Sequence, residues 1–385
     1  NVYHPQHLLE RLRAVKKQYN FKGLRYRLIP SEARRRSKEW DEPIYDLQVL
    51  VSGRRRSGLI LNIEVSSEYG LLSEVGYRHY NLGLRRSEFD VVVRLGFDPV
   101  NAIRKKQARK LWTHAALATS YRFPSFWRRV VRPVLSFRTD ISVFARSDVF
   151  LDEFYSHNTA IDAAFDFYVT RWLRLRLGTE GLFRKVFKLR VVEGEMSDVS
   201  PFQRVRGSIR LEAHFDFFPR IARNDRHTLL SIYGSQHFQK ANDFRRLEMT
   251  FQHFFDIGHH DIIVRTRGYW LFGHLDFIDL VGIAGRYMRT FFDGRYYTRQ
   301  GIHFTLEARI SAYRDIIKFS IFSDTAVFGR YEQLSYQRAV VATAFGPGFH
   351  WLILHSFQLD AYYSFGFAEK RFAHNIYLLL RNVFD

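Results

Sequence analysis

The stretch RVRGSIRLEAHFDF, residues 204–217, places a polar residue and an apolar residue in strict alternation. Because successive side chains of a β-strand point to opposite faces, this pattern predicts a strand with one polar and one apolar face. The polar face holds Arg204, Arg206, Ser208, Arg210, Glu212, His214 and Asp216, and the apolar face Val205, Gly207, Ile209, Leu211, Ala213, Phe215 and Phe217. A tilted strand crosses a bilayer in about 9 to 11 residues, so this strand is long enough to span one.

The same period of two continues from Ser57 almost to the end of the chain. It predicts about sixteen antiparallel strands, an even number of the kind that single-chain bacterial outer-membrane barrels have. The predicted strands lie near 58–66, 71–80, 86–96, 110–121, 135–146, 157–169, 172–185, 203–217, 226–238, 243–255, 259–272, 301–311, 316–328, 336–346, 355–367 and 372–384. The predicted fold class is therefore an all-β transmembrane barrel over residues 54–385.

A soluble β-sandwich is the alternative interpretation of these strands. Sandwich strands usually have about 5 to 6 residues, and the predicted strands are about twice as long. Aromatic residues form 17% of the chain, while its mean hydropathy is −0.26. A chain that is rich in aromatic residues and polar on average suits a surface shared between lipid and water, which favours the barrel.

The first 53 residues have a different pattern. Residues 5–20 have helical spacing of their leucines, and strand candidates follow at 24–30 and 44–53. This order predicts a small α/β unit, with a basic amphipathic helix on a membrane surface as the alternative. The chain contains no run of about 18 apolar residues and no signal-peptide pattern. Because it starts at Asn1, we expect its natural N-terminus to have been processed or trimmed.

Connection lengths predict an orientation for the barrel. If the N-terminal unit is periplasmic, the long connections 97–109, 147–156, 186–202 and 273–300 all fall on the extracellular side. Most periplasmic connections are short, with 122–134 as the main exception. Outer-membrane barrels show this asymmetry between short periplasmic turns and longer extracellular loops.

The net charge of +20 raises the question of nucleic-acid binding. No contiguous basic face or recognisable module supports it, because many arginines alternate with Asp and Glu inside predicted strands, where they predict ion pairs in a hydrated lumen. Other basic clusters lie in connections, at Arg34–Arg36, Arg54–Arg56 and Arg104–Lys110. The last cluster would be extracellular and could meet lipid phosphates.

The residues that usually carry catalysis or bind metals form no motif in this chain. There is no cysteine, the adjacent His259 and His260 would point to opposite faces of a strand, and no metal-ligand spacing recurs. Neither a nucleophile elbow nor a phosphate-binding glycine loop is present. We therefore expect no catalytic residue, no cofactor, no metal site and no enzymatic activity.

The segment LVGIAGRYMRTFFDGRYYTRQGIHFTLE (280–307) is unusually apolar for a connection and contains Arg289. Together with IKFSIFSDTAVFG (317–329), it resembles the BamA/TamA superfamily of outer-membrane assembly and translocation barrels, also called the bacterial surface antigen family. In that family, an extracellular loop folds into the barrel and carries a (V/I)-R-G-(F/Y) motif. Residues 288–291 resemble this motif, with methionine at the first position and Thr290 in place of glycine.

The resemblance implies that the loop 273–300 enters the lumen and that Arg289 anchors it, with Phe291 closing the motif. The family's acidic partner lies in an F-x-D motif, which Phe322, Ser323 and Asp324 match. Glu307, on the predicted polar face of the strand after the loop, is a second candidate partner. A desolvated arginine needs such carboxylates.

The ends of the chain also resemble this superfamily. Residues 1–53 resemble the latter half of its last periplasmic POTRA domain, and the last strand, FAHNIYLLLRNVF (372–384), resembles its C-terminal strand, although Asp385 follows the aromatic residue that usually ends it. The resemblance implies a weak seam between the first and last barrel strands. The seam residues are Leu59, Leu61, Ile63, Ile376, Leu378, Leu380 and Phe384.

The function that the resemblance implies is assembly, insertion or translocation of outer-membrane proteins, with the N-terminus in the periplasm. The expected partners are unfolded or partly folded outer-membrane or secreted client proteins, membrane lipids and lipopolysaccharide, and periplasmic or lipoprotein accessory proteins. Two alternatives stay open: a two-partner secretion transporter and a passive, anion-preferring pore or structural barrel.

Overall fold

The structure, a computed structural model, describes most of the chain. The described ranges are 21–30, 45–54, 57–66, 70–98, 112–127, 130–170, 172–216, 228–238, 243–257, 260–283, 288–290, 296–313, 316–353, 357–369 and 371–382. The helix predicted over 5–20 lies outside them.

The N-terminal unit contains two antiparallel strands, β1 (Phe21–Pro30) and β2 (Tyr45–Arg54). They agree with the strands predicted at 24–30 and 44–53. The chain divides after Gly58 into this unit and a much larger one. The similarity of the first unit to a POTRA domain stays a prediction.

The larger unit is a closed barrel of sixteen antiparallel strands, as the sequence predicted. A connection between the eleventh and twelfth barrel strands contains a small hairpin, β14 and β15. The strands are β3 (Ser57–Ser66), β4 (Gly70–Tyr80), β5 (Glu88–Phe97), β6 (Trp112–Arg122), β7 (Val131–Arg146), β8 (Leu151–Tyr168), β9 (Leu173–Val191), β10 (Phe202–Asp216), β11 (Leu229–Phe238), β12 (Phe244–Ile257), β13 (His260–Gly273), β14 (Val281–Gly282), β15 (Tyr297–Thr298), β16 (Gln300–Tyr313), β17 (Ile317–Glu332), β18 (Ser335–Ile353), β19 (Phe357–Ala368) and β20 (Arg371–Asn382).

Two predicted connections are partly strand. Within 147–156, a short 3₁₀ turn covers Ser147–Val149 and β8 begins at Leu151; β9 continues to Val191 into the predicted connection 186–202. The register of β8 with β9 shifts near Glu153. A β-bulge adds a residue to one strand and interrupts the alternation of faces, which explains why the period-two pattern stops before these strands end.

The faces of the barrel are arranged opposite to those of a soluble protein. On β10, the apolar Val205, Ile209 and Leu211 are 72%, 50% and 56% exposed on the outside, whereas Arg206 and Ser208 are buried inside. Soluble monomers rarely expose continuous apolar surface of this kind, and a lipid-facing apolar belt around a polar interior is typical of transmembrane barrels. Among the described residues, no helix is long and apolar enough to cross a bilayer.

Candidate functional site

The connection between β13 and β16 turns into the barrel. It begins with a 3₁₀ turn at Phe277–Asp279, passes through β14, and returns through β15. Between the two short strands, Met288, Arg289 and Thr290 are buried. Since their contacts are with inward-facing side chains of the barrel wall, this part of the loop lies in the lumen.

The guanidinium of Arg289 binds two carboxylates on neighbouring strands. Its Nε and Nη2 donate to Asp324 Oδ2 and Oδ1 at 3.0 and 2.9 Å, and its Nη1 donates to Glu307 Oε2 at 3.0 Å. All three residues are buried. A two-pronged arginine–carboxylate contact fixes direction as well as distance, so the loop tip is held in one orientation against β16 and β17.

Two further sets of contacts hold the same residue. The guanidinium carbon lies 3.7 Å from the ring centre of Phe322 and 4.4 Å from that of Tyr362, within the range of cation–π attraction. The main-chain oxygen of Arg289 accepts hydrogen bonds from Ser364 Oγ at 2.9 Å and Asn375 Nδ2 at 3.1 Å. Because Asn375 belongs to β20, the loop tip is bonded to the last barrel strand.

Glu307 is the centre of a wider polar network that sequence reasoning did not find. Its Oε1 accepts hydrogen bonds from Arg309 Nε at 2.7 Å and from the Tyr362 hydroxyl at 3.2 Å, and it lies 3.2 Å from His350 Nε2. Alternation predicted the inward face for Glu307, but His350 lies beyond the predicted strand 336–346. Which side chains meet depends on the stagger between strands, and alternation does not report that stagger.

The same network contains a serine, a histidine and an aspartate in a chain. His350 Nε2 lies 2.9 Å from Ser320 Oγ, and its Nδ1 lies 2.6 Å from Asp360 Oδ1. This is the connectivity of a hydrolytic triad. However, all three side chains are buried, and the nitrogen that would accept the serine proton also faces the Glu307 carboxylate. We therefore assign this chain to the support of Glu307.

Thr290 occupies the motif position at which the superfamily has glycine. It is completely buried, and it faces Gly366 of β19. A Cβ on Gly366 would lie 2.7 Å from Thr290 Cγ2, which is too close for two carbon atoms. The barrel wall therefore supplies the space that the loop residue takes. Phe291 lies outside the described residues.

A second group of ion pairs holds the outer part of the loop, near its 3₁₀ turn. Asp279 Oδ1 accepts from both Arg184 Nη1 and Arg206 Nη1 at 2.7 Å, and Asp276 pairs with Arg204. Burial raises the pKa of Asp279, but the attraction of Arg184 and Arg206 outweighs it, so that the pKa is lowered overall. These arginines lie on β9 and β10, away from the strands that bind Arg289.

Arg146, at the end of β7, joins the loop to the rim of the barrel. Its Nε and Nη2 donate to Asp148 at 2.7 and 2.6 Å, and its Nη1 donates to the main-chain oxygen of Phe277 at 2.6 Å. The guanidinium carbon also lies 3.4 Å from the ring centre of Tyr297. Both stems of the loop are thus packed against one buried cation.

The inserted loop leaves open space in the lumen. A cavity of about 620 Å³ is lined by side chains of β9–β12, by Arg138 of β7 and by residues 278–282 of the loop. Another, of about 460 Å³, lies beside the first barrel strands and includes Glu74, Arg78 and Asp90 in its lining. Both linings mix arginines with carboxylates, so a polar chain segment would find hydrogen-bonding partners there.

Within the described residues, the pairing between the first and last barrel strands is short. In the described part of the chain, the register of β20 with β3 joins Leu378–Arg381 to Asn62–Val65, whereas β20 pairs with β19 from Arg371 to Asn382. The Tyr377 hydroxyl adds one side-chain hydrogen bond across the seam, to Glu64 Oε1 at 2.9 Å.

The seam residues predicted from the sequence lie on the outer face of these strands. Ile63 is the register partner of Leu380, and Leu378 is the partner of Val65. Leu59, Leu61 and Ile376 are exposed on the outside of the barrel. Phe384 lies outside the described residues.

Comparison with known proteins gives relatives in structure and none in sequence. No protein-family model matches the chain, and neither does any curated protein sequence. Among solved structures, BamA from Haemophilus ducreyi lacking POTRA domains 1–3 superposes with a TM-score of 0.67 at 11% identity, over 98% of this chain and 78% of that one.

Two CdiB structures are also similar. CdiB from Acinetobacter baumannii superposes with a TM-score of 0.63 at 13% identity, over 94% of this chain and 66% of that one. CdiB from Escherichia coli gives 0.59 at 9% identity, over 95% and 68%. The resemblance inferred from the sequence is confirmed in the fold: this chain is a sixteen-stranded barrel of the architecture that BamA and CdiB share.

Proposed function

We propose that this chain is an outer-membrane barrel that inserts or translocates other proteins, with its N-terminal unit in the periplasm. Support comes from the apolar outer belt, from the fold shared with BamA and CdiB, and from the loop fixed in the lumen. The proposed mechanism consists of changes in pairing and position, without covalent chemistry.

The short seam carries this proposal. A strand edge presents a row of main-chain donors and acceptors, which another chain can pair with by β-augmentation. Here the part of β20 before Leu378 has its register partners in β19 alone within the described residues. An incoming client strand would add to this edge, and the barrel would open where the fewest hydrogen bonds have to break.

The loop tip is well placed to control that edge. Arg289 is bonded through its guanidinium to β16 and β17 and through its main-chain oxygen to Ser364 on β19 and Asn375 on β20. One residue thus ties the last strand to three other strands, β16, β17 and β19, from the inside. We propose that Arg289, Asp324 and Glu307 keep the last strands in register, so that the barrel opens at the seam with β3 and not elsewhere. Phe291 is included in this anchor as a proposal from the sequence motif.

A disulfide that locks the seam tests the proposal. The chain has no cysteine, so the pair Ile63→Cys and Leu380→Cys, at register partners, would form the only disulfide. We expect the oxidised protein, reconstituted in liposomes, to lose insertion of an unfolded outer-membrane client and to recover it on reduction. The matched control is Tyr363→Cys with Ile376→Cys, which locks β20 to β19 at an existing pair. Full activity of the locked seam would refute this mechanism.

Secretion of a client through the lumen is the second candidate. The two lumenal cavities and the similarity to CdiB favour it. A secretion route needs the loop to move but needs no open seam. Under this candidate, the locked seam leaves export of a client unchanged, while a disulfide between loop and wall would stop it.

A passive pore is the remaining alternative, because the arginine-rich lumen would prefer anions. Planar-bilayer recordings decide this point. A large, steady conductance of the unaltered chain would support the pore. A small conductance that rises when the loop is released would support assembly or secretion.

A further inference from the structure

The outer face of β8, β9 and β10 changes from apolar to polar along one line. Outward residues of β9 run from Leu173 to Phe183 and then reach Lys185. The register partners of Lys185 are His157 on β8 and Gln203 on β10, so three adjacent strands present a polar side chain in the same row. The outward face of β9 before this row covers eleven residues, 173–183, within the about 9 to 11 that cross the hydrocarbon core. The row therefore marks the boundary of the hydrocarbon core at the rim that carries the long loop.

A backbone irregularity just beyond this row turns a second lysine outward. Val186 and Leu189 pack inside, so regular alternation would also place Lys188 inside. Lys188 instead has φ of 52° and is exposed. Positive φ is uncommon for a residue other than glycine, and bulges of this kind re-aim a side chain. The result is that Lys185 and Lys188 both lie on the lipid-facing side.

The two lysines flank an aromatic pair. Tyr155 and Phe187 are register partners with ring centres 5.6 Å apart. Lys185 Nζ lies 5.6 Å from the Phe187 ring centre, and Lys188 Nζ lies 5.2 Å from the Tyr155 ring centre. Aromatic rings at the level of the lipid headgroups, with lysine stems along them, are typical of membrane boundaries.

The carboxylates beside this patch are engaged by groups other than the two lysines, and Glu153 accepts a hydrogen bond from the Tyr155 hydroxyl. Arg190, the next cation along β9, pairs with Asp152 and Glu153. In contrast, within the described residues neither lysine ammonium has a carboxylate partner. Two ammonium groups at the hydrocarbon boundary are positioned to attract phosphate on a lipid headgroup, because each cation near an anionic surface contributes to binding.

We propose that Lys185 and Lys188 bind the phosphate groups of an outer-leaflet glycolipid, lipid A, with its sugar on the Tyr155 and Phe187 rings and an acyl chain along β9 and β10. This site rests on the proposed function for one point, the outer-membrane orientation that turns the long-loop rim toward the outer leaflet. The site itself is on the lipid face and uses none of the residues that anchor the loop or form the seam.

Native mass spectrometry of the full chain in detergent tests the site, with lipid A carrying two phosphates as the probe. We expect Lys185→Gln and Lys188→Gln to weaken binding about fivefold each and about 25-fold together, following the usual contribution of a basic residue near an anionic lipid surface. Removing the phosphates from lipid A should weaken its binding to the unaltered chain. The loss should equal the loss that the double variant shows with two-phosphate lipid A.

The matched control removes two exposed arginines from the turn at the opposite rim, Arg85→Gln and Arg86→Gln, which is the same change in charge. It should keep the affinity of the unaltered chain. Equal losses in the control and in the double variant, or unchanged affinity of the double variant, would overturn the site.

If phosphatidylglycerol binds as tightly as lipid A, the choice of lipid is overturned. Client insertion is measured in a separate experiment. If the proposed function is wrong but the lipid site is right, lipid A still binds and the seam disulfide does not change client insertion.

Discussion

Thr290 of the loop and Gly366 of the barrel wall fit each other in size. A Cβ on Gly366 would lie only 2.7 Å from the threonine methyl group, closer than two carbon atoms can approach. The superfamily motif has its glycine on the loop, whereas here the loop has Thr290 and the glycine lies opposite, on the wall. The close approach of loop and wall is thus kept, with the small residue on the other partner.

Gly366→Ala should displace the loop tip, because the new methyl group meets Thr290 and cannot be accommodated without movement. We expect a loss of about 1–3 kcal/mol in loop stability, as in other overpacked cores. Hydrogen exchange of the loop amides measures it. Adding Thr290→Gly should restore part of the protection, and only part, since the Thr343 oxygen would still lie 3.0 Å from the new Cβ. Gly207→Ala is the control, because no atom lies within 4 Å of a Cβ at that outward position. If Gly366→Ala leaves the hydrogen exchange of the loop amides unchanged, Thr290 and Gly366 are not in tight contact.

Arg289→Ala should release the loop tip and impair function while the barrel still forms. It leaves Asp324 buried without the Arg289 guanidinium, while Glu307 keeps its pair with Arg309, and breaking a buried pair in this way costs about 3–5 kcal/mol. Arg289→Lys should rescue little, since an ammonium cannot reproduce the two-pronged contact. The readouts are client insertion and heat-modifiable gel mobility.

Arg330→Ala is the matched control for Arg289→Ala. It removes an arginine that pairs with Glu369 near the rim and is far more exposed, so a much smaller effect is expected. An Arg289→Ala protein with full activity and unchanged mobility would show that the residue does not anchor the loop.

The outer contact of the loop should weaken in acid. The pKa of Asp279 is lowered in the folded protein, so its ion pairs contribute fully above the unfolded pKa of about 3.9 and are lost as the pH falls through the lower folded value. Loop exchange near 276–279 should therefore be steady at neutral pH and rise below about pH 4. Asp279→Asn should remove this pH dependence and raise exchange at all pH values. A variant that still shows the acid transition would point to another carboxylate.

Asn375→Ala should loosen the seam strand without releasing the Arg289 guanidinium. It removes one hydrogen bond to the Arg289 main-chain oxygen, worth about 1 kcal/mol. We expect faster exchange of β20 amides by about fivefold and unchanged exchange at Arg289. Asn158→Ala, a lumenal asparagine bonded to Arg184 on β9, is the control and should leave β20 unaffected.

Ser320 should not react with a serine-directed phosphonate. Its hydroxyl is enclosed, and His350 is shared between Asp360 and Glu307. Labelling that disappears in Ser320→Ala would contradict the structural role assigned to this chain of residues.

The strands could be predicted because lipid outside and a polar lumen inside force the period of two on nearly every strand, as on β10. The prediction failed at strand ends such as 151–156 and 186–191, where register shifts break the period. Strand ends above the hydrocarbon boundary also no longer need an apolar face.

The site could be predicted in part. Arg289, Asp324 and Glu307 carried a sequence signal, because a loop arginine among apolar residues needs carboxylates and the superfamily motif indicates where they are. His350, Tyr362 and the pairs of Asp276 and Asp279 carried none. Each is one of many inward polar residues, and its partner is set by barrel closure and by the path of the loop. A pair of aspartates three residues apart at the start of an apolar connection was the one available hint.

The two holds on the loop have opposite polarity: at the tip, the loop gives a cation to acidic wall residues, and at the stem it gives carboxylates to arginines. A passing polypeptide segment with only basic residues can compete at the tip alone, and one with only acidic residues at the stem alone. Complete displacement of the loop would require a segment that carries both signs, spaced to match the two walls. The barrel would thus screen polypeptides by their charge pattern before any strand pairing begins.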